Sequence, residues 1–125
     1  ANVLYDLSFL LDNEGYKNQS INILNNIKQD MKKYVSGYSN YANLLLKQIN
    51  PYYEVAIVGE EANLKAVEIN QEYHPNKLLL GSIKESKLGL LQNKYIVGET
   101  MIYVCENKLC QFPTNNTREA IQLFK

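Results

Sequence analysis

The chain has little of what most recognisable chemistries need. Of its 125 residues two are cysteine and one is histidine. Two cysteines are too few for a disulfide framework, and His74 alone cannot complete a Cys/His-rich zinc site. No metal and no cofactor is expected. Excess charge of one sign is missing too. Thirteen basic residues balance thirteen acidic ones, so no global field recruits nucleic acid or an anionic membrane surface. Lys32 and Lys33 are the only adjacent basic pair, and they fall among helix-surface positions. No apolar run approaches the roughly 20 residues of a membrane-spanning helix. The start, Ala-Asn-Val, has neither an initiator Met nor a signal-like basic stretch, so we expect a segment of a longer, cytoplasmic protein. Asn18-Gln19-Ser20 and Asn115-Asn116-Thr117 match the glycosylation sequon, which an Asn-rich chain meets by chance.

What is present is ordinary globular composition, 46% hydrophobic and 21% charged, in a chain long enough for a real core. Residues 1–50 read as helical hairpins. Val3, Leu4, Leu7, Leu10 and Leu11 recur at three- and four-residue spacings, and Asp12-Asn13-Glu14-Gly15 breaks the pattern. A second helix carries Tyr16, Ser20, Ile23, Ile27, Met31 and Tyr34 as one stripe and is expected to end at Ser36-Gly37 with a left-handed cap. A third runs from about Ser39 to Ile49, with Tyr41, Leu44, Leu45 and Ile49 on one face. The tyrosines invite a sugar-stacking role, but helix-helix packing explains them equally with fewer assumptions.

The period changes at Tyr53. Glu54 to Val58 is a nearly continuous apolar run ending at Gly59, as in a strand covered on both faces. Glu60 to Tyr73 is helical, with Ala62, Lys65, Ala66, Ile69 and Tyr73 on one side. Pro75 stops it, and Lys77 to Ile83 is a second buried strand, completing a βαβ unit. Leu88, Leu90 and Leu91 form either a short helix or a loop plugged into the core. Thr100 to Pro113 is a hairpin, and Asn116 to Glu119 has the form of a capping box before a short last helix buried through Ala120, Ile121 and Phe124. Residues 51–125 thus form a small three-layer-like α/β module of order β-α-β-(α)-β-β-α. That order fits a thioredoxin-like skeleton, yet no Cys-x-x-Cys follows Gly59.

Both cysteines sit in the hairpin, flanking Glu106-Asn107-Lys108. If they face each other, their Cα atoms should lie about 4.4 to 6.8 Å apart, the range a disulfide allows. We expect reduced thiols, or a bond that forms without changing the fold. Carboxylate pairs point to no chemistry. Glu60-Glu61 opens a helix, favouring its dipole rather than a phosphate, and Glu68 with Glu72 is a like-charge pair one turn apart.

Three stretches resemble one family. Tyr53-Glu54-Val55-Ala56-Ile57-Val58-Gly59, Tyr73-His74-Pro75-Asn76-Lys77-Leu78-Leu79-Leu80, and Tyr103-Val104-Cys105-Glu106-Asn107-Lys108-Leu109-Cys110-Gln111-Phe112-Pro113 look like the C-terminal end of the large thioredoxin-domain-containing proteins of the bacterial YyaL type, related to the spermatogenesis-associated proteins of animals. Asn2 with Leu7, Leu10 and Tyr16 resembles a late hairpin of that family's helical toroid. The Cys-x-x-x-x-Cys-x-x-Pro ending is the most specific part. The resemblance implies a parent with an N-terminal thioredoxin-like domain and an (α/α)6 toroid similar to N-acylglucosamine 2-epimerases and six-hairpin glycosidases. This chain would be its tail, partnered by the rest of that polypeptide or self-associating through exposed helical faces.

Two functions follow as expectations. The first is a non-catalytic module of a carbohydrate-processing or redox-linked protein, with no catalytic residue of its own. The second is a thiol-redox site at Cys105 and Cys110, with Lys108 near enough to favour a thiolate. Zinc bound by the same pair fails on ligand count unless two chains share the metal.

Overall fold

The structure, a computed structural model, describes residues 1–124. Its contacts divide the chain into two compact units at the Asn50–Pro51 boundary. The first unit holds α1 (Asn2–Leu10), α2 (Glu14–Lys33), a 3-10 turn (Ser36–Tyr38) and α3 (Ser39–Ile49). Asp12 takes φ 52, which no helix tolerates, and Asn13 caps α2 by accepting from the Gly15 and Tyr16 N–H groups. Polar contacts tie α1 to both partners. The Ser20 hydroxyl donates to the Ala1 carbonyl at 2.9 Å, and Lys47 Nζ meets Asp6 at 2.8 Å.

The expected apolar face of α1 is only partly buried: Leu4, Leu7 and Leu10 are half-buried. Tyr5 and Ser8 are buried, whereas Val3 is 70% and Leu11 51% exposed. The expected stripe of α2 survives through Ser20, with Leu24 added and Tyr34 left outside. The left-handed cap at Gly37 does not form. The helix stops at Lys33, and Gly37 serves by its smallness, since a Cβ there would lie 2.3 Å from the Tyr34 ring. The α3 bounds agree with the periodicity, and Leu44 is fully buried while Ile49 is exposed.

The second unit is a mixed α/β module: β1 (Tyr53–Val58), α4 (Ala62–Asn70), β2 (Lys77–Ser82), β3 (Met101–Glu106), β4 (Leu109–Cys110) and α5 (Thr117–Gln122). The sheet order is β2-β1-β3-β4, with β1 parallel to β2 and antiparallel to β3. All six residues of β1 are buried, because it is paired on both edges and covered on both faces. Tyr53, Val55 and Ile57 face Ala62 and Ile69 of α4 and Ala120 of α5. Ala56 and Val58 face Leu90 and Leu91.

That second layer is not a helix. Residues 83–100 contain turns, bends and one isolated bridge between Ile96 and Glu99, and they plug Leu90 and Leu91 into the sheet. The loop is shaped from within, because the Glu85 carboxylate accepts from the N–H groups of Asn93 (2.7 Å) and Tyr95 (3.3 Å). It is fastened to β3 by the Tyr103 hydroxyl, which donates to the Lys94 carbonyl at 2.9 Å. β2 is only half-buried, contrary to expectation, since it is an edge strand with a single partner. α4 is shorter at both ends than its pattern, and Tyr73 is 90% exposed beyond it. The capping box before α5 forms by half. Asn116 accepts from Arg118 and Glu119 N–H groups, but the Glu119 carboxylate turns away to accept the Thr114 hydroxyl proton at 2.6 Å.

Gly59 carries the turn from β1 into α4 at φ 139, and a Cβ there would come within 2.4 Å of the Glu99 carbonyl oxygen. Gly59→Ala should therefore lose about 3 kcal/mol or more, read from urea unfolding, because both strain and backbone overlap oppose it.

Burial holds the Tyr103 phenol above the ordinary tyrosine range. Its neutral form is favoured in the fold, so this stability is complete below the unfolded value and is lost as pH rises through the folded one. Tyr103→Phe should cost about 1 kcal/mol at neutral pH through the lost hydrogen bond. It should also flatten the alkaline limb of a stability–pH curve.

Candidate functional site

The antiparallel register between β1 and β3 defines two ends of the sheet. Tyr53 pairs with Glu106 at one end and Val58 with Met101 at the other, roughly 17 Å apart over five strand steps. Each end gathers polar residues, and the two differ in chemistry.

The hairpin end holds both cysteines. Asn107 (φ 50) and Lys108 (φ 66) are the two central residues of the turn, and positive φ at both matches the type I′ connection that suits strand twist. Glu106 and Leu109 flank it, so the next pair outward, Cys105 and Cys110, falls at a site without backbone hydrogen bonds, where strands approach most closely. The Gln111 N–H resumes the ladder, donating to the Val104 carbonyl at 2.9 Å. The cysteines are joined as a disulfide, with Cα atoms 3.8 Å apart, closer than the expected range. Free thiols are thus not the state of this structure. Cys105 is 1% exposed whereas Cys110 is open to solvent.

Beside them lies a residue that the sequence hid. Glu54 is 3% exposed, stands opposite Cys105 in the register, and accepts the Lys108 N–H at 3.1 Å. Its signal was a charge inside an otherwise apolar strand. A buried carboxylate there holds the turn through that backbone hydrogen bond.

The opposite end is a cleft of about 310 Å³ at the C-terminal end of β1. Glu60, Glu61, Lys65, Tyr95, Glu99, Thr100 and Asn115 line it. Thr100 was also missed by pattern. It is buried, and its Oγ1 accepts the Glu61 N–H at 3.1 Å, closing the turn that Gly59 opens. Lys65 donates to the Asn115 carbonyl at 2.6 Å and lies 4.0 Å from Glu61. No cysteine reaches this end.

The remaining candidates serve packing. His74 is 3.5 Å from Glu72 and lies against the Phe124 ring at 4.9 Å. Glu68 accepts the Thr117 hydroxyl proton at 2.7 Å, linking α4 to α5. Tyr5 meets Phe9, Tyr38 meets Tyr41, and Tyr53 meets Phe124. Among the described residues no group of three or more His, Cys, Asp or Glu is placed to hold a metal ion. No helix among them is long and apolar enough to cross a membrane.

Cys105→Ser with Cys110→Ser tests what the disulfide contributes. The closed loop spans a separation of five residues, and constraining so short a loop is worth about 2 kcal/mol in the chain-entropy picture. The double variant should lower the unfolding free energy by that amount, read as a lower urea midpoint at nearly unchanged slope, and the Gln111–Val104 hydrogen bond should stay protected from exchange.

Comparison of the chain with family models, curated proteins and solved structures returned no match.

Proposed function

We propose that the chain is a non-catalytic C-terminal module of a larger thioredoxin-domain-containing protein of the YyaL type, its helices closing an (α/α)6 toroid and its α/β module packing as the tail. One observation carries the non-catalytic reading. A thioredoxin-like sheet does its chemistry where β1 runs into the following helix, and here that place holds Glu60 and Glu61, with both cysteines at the far end. The strand order β2-β1-β3-β4, with β3 reversed against β1, supports the thioredoxin-like skeleton. The stretch Tyr103 to Pro113 supports the family. The module belongs to the cytoplasm on this reading, and the parent acts on carbohydrate or is linked to redox chemistry.

Thiol-disulfide exchange at Cys105 and Cys110 is the second reading, favoured by the exposure of Cys110. Attack there would expel Cys105 as a buried thiolate opposite Glu54, a poor leaving position.

The isolated chain should neither speed insulin reduction by dithiothreitol nor turn over N-acylglucosamine or nitrophenyl glycosides above a mock preparation. Turnover in either assay overturns the non-catalytic reading. The coding sequence upstream of Ala1 tests the parent. Further helical hairpins and a Cys-x-x-Cys domain are expected, and their absence removes the family.

A further inference from the structure

Within the α/β unit, β2 bonds to β1 and to no other strand. The Tyr53 N–H donates to the Asn76 carbonyl and the Gly59 N–H to the Ser82 carbonyl, both at 2.9 Å. In a parallel ladder that parity turns the backbone groups of Leu78, Leu80 and Ser82 toward β1. Those of Lys77, Leu79 and Gly81 point away from it, and among the described residues no strand or loop bonds to them. Lys77 is the one charge in the strand, and no proline interrupts it. Nothing in the chain itself requires glycine at position 81. Its φ is not positive, and a Cβ there would lie 3.6 Å from both the Ala62 Cβ and the Ile57 carbonyl oxygen, ordinary contact distances.

We propose that β2 pairs antiparallel with β2 of a second copy about a two-fold axis at Leu79, joining two sheets into one. Leu79 then faces Leu79 and Lys77 faces Gly81, so each outward N–H and C=O gains a partner. Leu78 faces Leu80 on the other side of the sheet and extends the apolar layer of Leu90 and Leu91. The Lys77 ammonium donates to the His74 carbonyl of its own chain at 3.0 Å. Its stem is therefore what meets Gly81 of the second copy, where the lack of a side chain lets it approach.

The helical layer selects a second copy over an unrelated extended chain. α4 lies over the β1–β2 pair, since Ala62 and Ile69 share a core with Val55, Ile57 and Leu79. Strands about 4.8 Å apart place two such helices about 10 Å apart across the axis, which is helix-packing distance. Lys65 and Glu68 bond to Asn115 and Thr117 on the α5 side. Asn63, Val67 and Asn70, all exposed, are left on the flank toward the β2 border. Ala62 is level with Gly81, and the two strand steps from Gly81 to Leu79 match about four helical residues. Val67, 61% exposed, thus comes level with the axis and meets Val67 of the second copy. The contact is isologous and closes at two copies. It uses no residue of the helical unit and stands apart from the identity of the parent protein.

Sedimentation velocity of the 125-residue chain from about 5 to about 500 µM should show a monomer passing to a dimer and stopping there. Amide hydrogen exchange at the two ends of that range reads the pairing itself. The amides of Lys77, Leu79 and Gly81 should slow at least about tenfold at the high concentration, while those of Leu78, Leu80 and Ser82 stay slow at both. Gly81→Pro removes an N–H that β1 does not use and fills the place facing Lys77, and should weaken the dimer at least about tenfold. Val67→Glu, on an exposed helix face, sets two carboxylates against each other at the axis. It should weaken the dimer by a similar factor, and raising salt from about 0.05 to about 0.5 M should restore part of the loss. A chain that stays monomeric overturns the proposal, as does a mass that climbs past dimer. So does a dimer whose Leu79 and Gly81 amides exchange as in the monomer, or either variant dimerising like the wild type. If circular dichroism shows a variant unfolded, the exchange pattern of the wild type decides.

Discussion

The strand Tyr53–Val58 is removed from water on four sides, and the rest of the α/β module follows from that. Its backbone groups have no solvent to bond, so both edges must carry a ladder, and β2 and β3 supply one each. Its side chains alternate between faces, so both faces must be covered. α4 and α5 cover one with Ala62, Ile69 and Ala120. The other is covered by a loop that inserts Leu90 and Leu91. One polar residue is admitted, Glu54, and it is held by the hairpin turn it secures.

Continuous apolar character was legible, and so were the breaks around it. The run before Gly59, the proline after Tyr73-His74 and the turn between two cysteines placed β1, β2 and the hairpin without help. What the pattern could not show was decided by non-local contact. The leucines of α1 have the periodicity of a buried face and Leu4, Leu7 and Leu10 are half-buried, yet the deepest positions are Tyr5 and Ser8, on a helix tied by Ser20 and Lys47. β2 reads like β1 in composition, but an edge strand is fixed by strand order, which no single segment encodes. Loop 83–100 has leucines without a helix because Glu85 binds backbone N–H groups that a helix would need for itself. Of the candidate site, the cysteine pair was legible by spacing and Thr100 and Glu54 were not, since each acts on a backbone group 39 or 54 residues away in sequence.

The functional reading turns on location rather than on residue type. Carboxylates, a histidine, two cysteines and ten tyrosines are all present. The fold disperses them: Glu68 joins two helices, the histidine lies against Phe124, Tyr53 packs on the same ring and Tyr103 tethers a loop. A catalytic centre needs such groups convergent in one cleft. The cleft at the end of β1 contains acids and a lysine already engaged with a backbone carbonyl.

The covalent link across the hairpin has a consequence for how this sheet meets other sheets. A sheet edge is a template for any extended chain that comes near. On the β3 side the outermost strand is two residues long, twisted by a turn with positive φ at both centres, and stapled to its neighbour. Thr114 then bonds back to Ile102, so the chain continues along β3 instead of leaving its edge bare. An invading strand would find almost no ladder to extend and could not pry the last rung open. The vulnerable border is the other one, where the six residues of β2 have a partner on one side only.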